Sequence, residues 1–114
     1  MALLVTVAGG KVIGRIGVYK IDSKSQIGEI GYWLAECEQG KGIVFKCCQA
    51  LIAFCFSHLN LNRIEIRCGS RNLKSRQVPE RLNFSFEGIL RQGEFLYDKF
   101  IDLCLYSLLK EENR

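Results

Sequence analysis

The chain of 114 residues contains a single proline and a single histidine, and it has no long hydrophobic run. With 48% hydrophobic and 25% charged residues, its composition is that of a globular protein rather than a disordered one. No apolar segment approaches the roughly 18 residues of a membrane-spanning helix. The first ten residues lack the basic flank of a signal peptide. We therefore expect one domain over residues 1–114, located in the cytoplasm, with no membrane partner.

The sequence also lacks a strong excess of either charge and a metal-binding pattern. The net charge of +4 permits an anionic ligand but falls short of the dense basic face of a nucleic-acid binder. An RNA-binding module therefore remains a minor alternative, which steep salt-dependent binding to RNA would reveal. The six cysteines form no repeated Cys-x-x-Cys pair, and His58 has no partner at metal-ligand spacing. We expect reduced, mostly buried cysteines, no metal, and a capping or surface role for His58.

Hydrophobic periodicity predicts an α+β fold, with a mixed, mainly antiparallel sheet, a long helix and a short second helix. The predicted strands cover residues 3–7, 12–21, 27–34 and 63–68, followed by a hairpin of residues 84–90 and 94–109 that turns at Gln92-Gly93. The long helix covers residues 42–59 and is largely buried. Because it joins two strands, it implies a right-handed crossover and a parallel strand pair. Residues 73–82 form the second helix, which Pro79 should kink or shorten by removing its bond to the Ser75 carbonyl.

A glycine turn immediately precedes the long helix. Gly40 and Gly42 let the backbone bend sharply, and the first N–H groups of the helix have no internal acceptors. The helix dipole and Lys41 add positive charge at the same place. The turn therefore suits a phosphate group, although a glycine turn that only joins a strand to a helix is an equally frequent use of such a motif.

Five short motifs in this order resemble the GNAT superfamily of N-acetyltransferases, and within it the RimJ/RimL group that acetylates ribosomal proteins. The resemblance covers about residues 10–110. The motifs are Glu29-Ile-Gly-Tyr-Trp-Leu34, Gln39-Gly-Lys-Gly-Ile43, Leu61-Asn-Arg-Ile-Glu65, Asn72-x-x-Ser75-x-x-Val78 and Phe86-Glu-Gly-Ile-Leu-Arg91. The second matches the family's acetyl-CoA motif at Gln39 and Gly42 and departs from it at Val44.

The resemblance implies acetyl-CoA as co-substrate and direct acetyl transfer to a primary amine. In the family, the third strand splays from its parallel neighbour, and its free peptide groups pair with the pantetheine arm. The positions that match the family's CoA-binding segments are Tyr32, Trp33, Leu34, Gln39, Gly40, Lys41, Gly42, Ile43, Val44 and Asn72. Four basic residues are expected near other CoA phosphates: Lys41, Arg71, Lys74 and Arg76.

The resemblance also implies two catalytic residues, each of which has an ordinary structural alternative. Glu29 is expected to act as general base, with its pKa raised if Ile27, Ile30 and Tyr32 desolvate it. The alternative is a solvent-facing strand glutamate. Ser75 matches the group's proton donor to the leaving sulfur, whereas helix capping is the alternative for both Ser75 and Asn72.

The acceptor site is the least defined part of the sequence. Family members usually carry about one more strand and two helices before the first strand seen here, and those elements form a wall of the acceptor site. We expect a domain that is short at its N-terminus relative to the family and a dimer that pairs through the edge strand of residues 3–7. The default acceptor is the N-terminal amine of a ribosomal protein. A non-catalytic remnant that binds CoA or only oligomerises is the alternative, favoured by Val44, Pro79 and by Asn83 in place of the family's glycine.

Overall fold

The computed structural model describes residues 2–6, 12–34 and 42–113. In these residues the strands and helices follow one another in the order that the periodicity predicts. In chain order they are β1 Ala2–Thr6, β2 Val12–Asp22, β3 Ile27–Leu34, α1 Ile43–Ser57, β4 Arg63–Gly69, α2 Leu73–Arg81, β5 Ser85–Leu96 and β6 Lys99–Leu109. A single 3-10 turn, Lys110–Glu112, follows β6.

The six strands form one sheet in the order β1-β2-β3-β4-β6-β5. Among the described strands only β3 and β4 pair in parallel, because α1 carries the chain back to the end of the sheet at which β3 began. The remaining neighbours pair antiparallel. This arrangement confirms the predicted mixed, mainly antiparallel sheet and the parallel pair around the long helix.

The two faces of the sheet differ in chemistry because side chains alternate along each strand. On β4, Ile64, Ile66 and Cys68 are buried against the helices, and we call this side the helix face. The other side of β4 carries Arg63, Glu65 and Arg67, and we call it the charged face. Helix α1 supplies the other half of the core with the buried residues Cys48, Leu51, Ile52, Cys55 and Phe56. Its exposed stripe of Lys46, Gln49, Ala53 and Ser57 is the one that the periodicity predicts.

Helix α2 continues past Pro79 to Arg81, so the proline does not end it early. The helix closes with two bonds of a Schellman motif: the Asn83 N–H donates to the Glu80 carbonyl at 3.3 Å, and the Phe84 N–H donates to the Pro79 carbonyl at 3.0 Å. Asn83 has a φ of 64°, a left-handed conformation that asparagine tolerates better than most residues. The asparagine therefore meets a conformational need for which glycine is the usual choice.

The hairpin of β5 and β6 turns at a different place from the one predicted. Leu96 pairs with Lys99, so the two-residue turn is Tyr97-Asp98, and both residues have positive φ. The predicted turn at Gln92-Gly93 is wrong, because these residues form a bulge between the Leu90 and Glu94 pairs. The Gln92 N–H donates to Asp102 Oδ1 at 2.8 Å, which satisfies a backbone group that the bulge removes from the ladder.

Candidate active site

The parallel strands β3 and β4 separate after a short common ladder. Their pairing comprises Ile27 with Arg63, Gly28 with Ile64 and Glu29 with Glu65. Strand β3 then continues to Leu34 with its other edge paired to β2, while β4 continues to Gly69 paired to β6. The facing edges of β3 from residue 30 and β4 from residue 66 have no ladder between them in the described chain. This gap is the splay that the resemblance implies, and it leaves backbone groups of β3 available to an extended ligand.

A small polar cluster lies beside this gap on the helix face. The Tyr32 hydroxyl donates to the Ser75 carbonyl oxygen at 2.7 Å and accepts from the Ser75 hydroxyl at 3.2 Å. Cys68 Sγ lies 3.6 Å from both the Tyr32 hydroxyl and the Ser75 carbonyl oxygen. The cluster thus joins β3, β4 and α2, and it contains two of the residues predicted for the site.

Burial controls the ionisation of this cluster. It raises the pKa of the Tyr32 phenol well above its usual range, and the neighbouring Cys68 acts in the same direction. Burial also raises the pKa of the Cys68 thiol, and it raises that of Cys48 to about 12. At neutral pH these groups therefore stay protonated, which makes Cys48 and Cys68 poor nucleophiles and agrees with the expectation of reduced, buried cysteines.

Asn72 lies at the start of α2 and caps it. Its side-chain Oδ1 accepts the Ser75 N–H at 3.1 Å, which is the structural role anticipated as the alternative to CoA binding. The neighbouring side chains of Arg71 and Lys74 are exposed. The Arg76 side chain is only partly exposed, because its guanidinium donates to the Ser70 carbonyl and to the Tyr106 hydroxyl, each at 3.0 Å. Of the basic residues expected near phosphates, Arg76 therefore already has protein partners.

Gly42 is the N-cap of α1 and has a φ of 73°, which favours glycine. In the described chain no atom lies within 4 Å of a Cβ built at this position. The first turn of α1 contains no acidic residue, and Gly42 offers no side-chain cap for its N–H groups. Gln39, Gly40 and Lys41 lie outside the described residues, as do the side chains of Leu34 and Ile43.

Glu29 lies on the charged face, where it is less than one-fifth exposed. Its Oε2 is 3.7 Å from Lys20 Nζ, and its Oε1 is 3.0 Å from Arg67 Nε. The second contact is an ion pair without hydrogen-bond geometry, so Oε1 keeps a free acceptor position among the described residues. The predicted apolar surroundings are wrong in part, because strand alternation puts Ile30 and Tyr32 on the helix face. Trp33 shares the face of Glu29 and is 58% exposed.

A network of ion pairs surrounds Glu29, and no sequence pattern was used to predict it. Arg67 NH2 lies 3.3 Å from Glu65 Oε1, and Arg63 contacts both Glu65 at 2.9 Å and Glu87 at 2.6 Å. Glu87 also accepts a short hydrogen bond from the Ser107 hydroxyl. The alternation of Arg63, Glu65 and Arg67 along β4 was the available signal, since residues two apart share a face of a strand.

Three further observations concern metal binding, His58 and the membrane. No set of three histidine, cysteine, aspartate or glutamate side chains there is placed to hold a metal ion. His58 is the C-cap of α1, where its ring stacks on Phe54 with centroids 4.9 Å apart. None of the described helices combines the length and apolarity required to cross a membrane.

Taken together, the mixed sheet, the splayed parallel strands and the glycine N-cap are typical of a GNAT acetyltransferase scaffold. Comparison with known proteins agrees. Residues 1–85 match the family profile described as "Acetyltransferase (GNAT) domain". The chain belongs to this GNAT acetyltransferase family.

Two of the similar proteins are named for the acetylation of ribosomal proteins or ribosomes. The chain is 43% identical over 103 residues to "Putative ribosomal N-acetyltransferase YdaF" of Bacillus subtilis, covering 90% of this chain and 56% of that protein. It is 41% identical over 97 residues to "Ribosomal-protein-serine acetyltransferase" of Escherichia coli, covering 85% and 54% respectively. A crystal structure of a probable acetyltransferase superposes with a TM-score of 0.88 at 42% identity, covering 91% of this chain and 58% of that one. The chain thus spans little more than half the length of these relatives.

Proposed function

We propose that this protein uses acetyl-CoA to acetylate a primary amine directly, and that the acceptor is the N-terminal amine of a ribosomal protein. The observation that carries the proposal is the separation of β3 from β4 after Glu29 and Glu65. An extended ligand can enter a sheet at such a gap and pair with the free edge of β3, as an added strand would. The gap lies between the polar cluster of Tyr32 and Ser75 on one face and Glu29 on the other.

The donor would be held along β3 and at the start of α1. Backbone groups of Tyr32, Trp33 and Leu34 would hold the pantetheine arm, with Asn72 near it. The glycine turn would hold the pyrophosphate through N–H groups of residues 40–45, assisted by Gln39 and Lys41. Two features support this site: the positive φ of Gly42, and the lack of acidic residues in the first turn of α1.

The chemistry would then be divided between the two faces. Glu29, which has a free acceptor position at Oε1, would take a proton from the amine, directly or through water. An N–H of β3 would hydrogen-bond to the thioester oxygen as negative charge develops on it. The amine nitrogen would attack the thioester carbonyl carbon and the C–S bond would break, so the acetyl group passes directly to the amine and no acyl-enzyme is required. Ser75 would donate a proton to the leaving CoA thiolate and recover one from solvent. An α-amino group has a pKa of roughly 8, so a carboxylate is a sufficient base.

The names of the relatives support the choice of acceptor. Two of them are named as acting on ribosomal proteins, and one is named for serine. A peptide that begins with serine is therefore the first acceptor to test, with an N-terminally blocked copy of the same peptide as its control. A cytoplasmic location agrees with such an acceptor.

Calorimetric titration with acetyl-CoA tests the donor site most directly. Gly42→Asp and Gly42→Asn form a matched pair, since both residues tolerate positive φ and differ mainly in charge. If the pyrophosphate lies at this turn, Gly42→Asp should weaken binding by at least about tenfold relative to Gly42→Asn, because the added carboxylate repels it. Equal affinities in the two variants would contradict the site, and the absence of binding to the parent protein would contradict the proposal.

A non-catalytic descendant of the fold is the second candidate. It is favoured by Val44, at the position where the chain departs from the family's acetyl-CoA motif. Such a protein would bind acetyl-CoA in the titration but acetylate no peptide. Turnover of the serine peptide, lost in Glu29→Gln, would exclude it.

A further inference from the structure

Pro79 leaves one carbonyl of α2 without its usual helical partner. In a regular α-helix the N–H of residue 79 would donate to the carbonyl of Ser75, but proline has no N–H. The carbonyl lies on the buried side of the helix, because Pro79 is one of the fully buried residues of the protein. An unpartnered carbonyl in such a place would cost stability, so a replacement donor is expected.

The replacement donor comes from another element of the fold. The Tyr32 hydroxyl of β3 donates to this Ser75 carbonyl at 2.7 Å. The Tyr32 hydroxyl oxygen in turn accepts a hydrogen bond from the Ser75 hydroxyl at 3.2 Å. Asn72 meanwhile accepts the Ser75 N–H at 3.1 Å. All three polar groups of Ser75 are therefore engaged, two of them by Tyr32, and the Cys68 thiol is a second, weaker donor to the carbonyl at 3.6 Å.

We infer that Tyr32 is a positioning residue for Ser75, and that Pro79 makes it necessary by removing the helical bond that would otherwise hold the Ser75 carbonyl. This inference rests on the proposed function only where it assigns a catalytic use to Ser75. The link between residues 32, 75 and 79 is a property of the folded protein, and it can be measured without substrate.

Two further features suit Tyr32 to this role. Its phenol stays protonated because burial raises its pKa, so it remains a donor to the Ser75 carbonyl throughout the working pH range. It also belongs to the free segment of β3, beyond the last pair with β4. A ligand that pairs with β3 in the gap would thus contact the backbone of the same residue whose side chain orients Ser75. Donor binding and the orientation of the Ser75 hydroxyl would be linked through one residue.

A double-mutant cycle in thermal unfolding tests the link. Tyr32→Phe should lower Tm by about 4 °C or more, because it leaves the Ser75 carbonyl with only the weaker Cys68 thiol as a donor, at 3.6 Å. In a Pro79→Ala background, position 79 regains its N–H and can bond the same carbonyl, so Tyr32→Phe should lower Tm by less than half as much. The cavity left by removing the proline ring is present in both arms of the cycle and cancels.

Tyr19→Phe is the matched control for the cycle. Tyr19 lies on β2, and within the described chain its hydroxyl has no hydrogen-bond partner on α2. This variant should change Tm by no more than about 1 °C in either background. Equal effects of Tyr32→Phe with and without Pro79 would overturn the inference, and so would equal coupling in the Tyr19 cycle.

Kinetics with acetyl-CoA and the serine peptide separate positioning from a merely structural effect. Tyr32→Phe should lower kcat by about tenfold and leave KM for acetyl-CoA within about twofold, and it should have no further effect on kcat in a Ser75→Ala background. A further loss in that background would show that Tyr32 acts independently of Ser75 and would overturn the inference. If the parent protein shows no turnover, the proposed function is rejected, whereas the unfolding cycle still decides the link between the three residues.

Discussion

Glu29 is flanked by a cation from each neighbouring strand, Lys20 of β2 and Arg67 of β4. It also stands beside Glu65 in the last pair before β3 and β4 separate. Arg67 lies between the two carboxylates and offsets their mutual repulsion. That repulsion would otherwise be strong, because both side chains are partly buried. The candidate base is therefore part of a charge network rather than of an apolar pocket.

The first prediction concerns Glu29→Gln, which keeps the size of the side chain and removes its charge. We expect kcat/KM with acetyl-CoA and the serine peptide to fall by about 100-fold or more, since general-base assistance is lost. Affinity for acetyl-CoA, measured by calorimetry, should remain within about twofold.

Glu65→Gln is the control for this variant, because Glu65 has similar ion pairs on the same face. It should reduce activity much less than Glu29→Gln does. An equal loss in the two variants would assign the effect to the charge network as a whole and would contradict a specific role for Glu29.

The second prediction concerns Glu87, whose hydrogen bonds from Arg63 and Ser107 lower its pKa from the ordinary value of 4.5. A carboxyl with a lower pKa in the folded state stabilises the fold above the unfolded-state value, and this contribution is lost as the pH falls through the folded-state value. Because the side chain is about one-third exposed, Glu87→Gln should cost less than about 1 kcal/mol at pH 7.

Urea unfolding at pH 7 and pH 3 measures this effect. The difference between the parent protein and Glu87→Gln should be smaller at pH 3, where the carboxyl gains a proton. Glu111→Gln, at an exposed carboxyl of the terminal 3-10 turn, should show little difference at either pH. A difference for Glu87→Gln that grows on acidification would refute the assigned direction.

At the scale of elements, the tip of the β5–β6 hairpin carries avoidable strain. Tyr97 and Asp98 have φ values of 50° and 61°, as a type I′ turn requires. Asn-Gly is the preferred sequence for such a turn, whereas tyrosine disfavours positive φ. Tyr97 is 87% exposed, so its replacement removes little packing.

The third prediction is that Tyr97→Asn combined with Asp98→Gly stabilises the protein. Relief of strain at the two positions should raise Tm by about 4 °C, as expected for roughly 1 kcal/mol in a domain of this size. Differential scanning calorimetry gives the result. The same Asn-Gly pair placed at Gln92-Gly93, as Gln92→Asn, should give a smaller gain, because it relieves positive φ at one residue of a bulge rather than at both residues of a turn. An equal gain at both places would be evidence against the assigned turn.

At the scale of the whole molecule, the sheet has β1 at one edge and β5 at the other. Strand β1 pairs with β2 on one side, and among the described residues no strand pairs with its other side. The fourth prediction is therefore a homodimer formed through this edge. Light scattering across a tenfold range of concentration should give the mass of two chains at the upper end, and a monomer throughout would reject the dimer.

Much of the fold was accessible from the sequence because its signals are local. Alternation of apolar residues marks β3 and β4, and the 3.6-residue period marks the buried face of α1. The hairpin turn was missed because tyrosine and aspartate are unusual at positive φ, and only the pairing of Leu96 with Lys99 forces them there. Gln92-Gly93 had the more familiar turn composition, but the ladder continues through it with a bulge.

For the site, the sequence by itself determined which residue types were available: a glycine N-cap at residue 42, an asparagine cap at residue 72 and a carboxylate at residue 29. Tertiary structure alone decided how they are used. It placed Glu29 among Lys20 and Arg67 rather than against Ile30, because the strand alternates and the neighbouring strands supply the cations. It also brought the Tyr32 hydroxyl to the Ser75 carbonyl, which has no helical donor because residue 79 is proline. Tyr32 and Ser75 are 43 residues apart in the chain. Contacts between residues so far apart depend on how the elements pack, which no local pattern records.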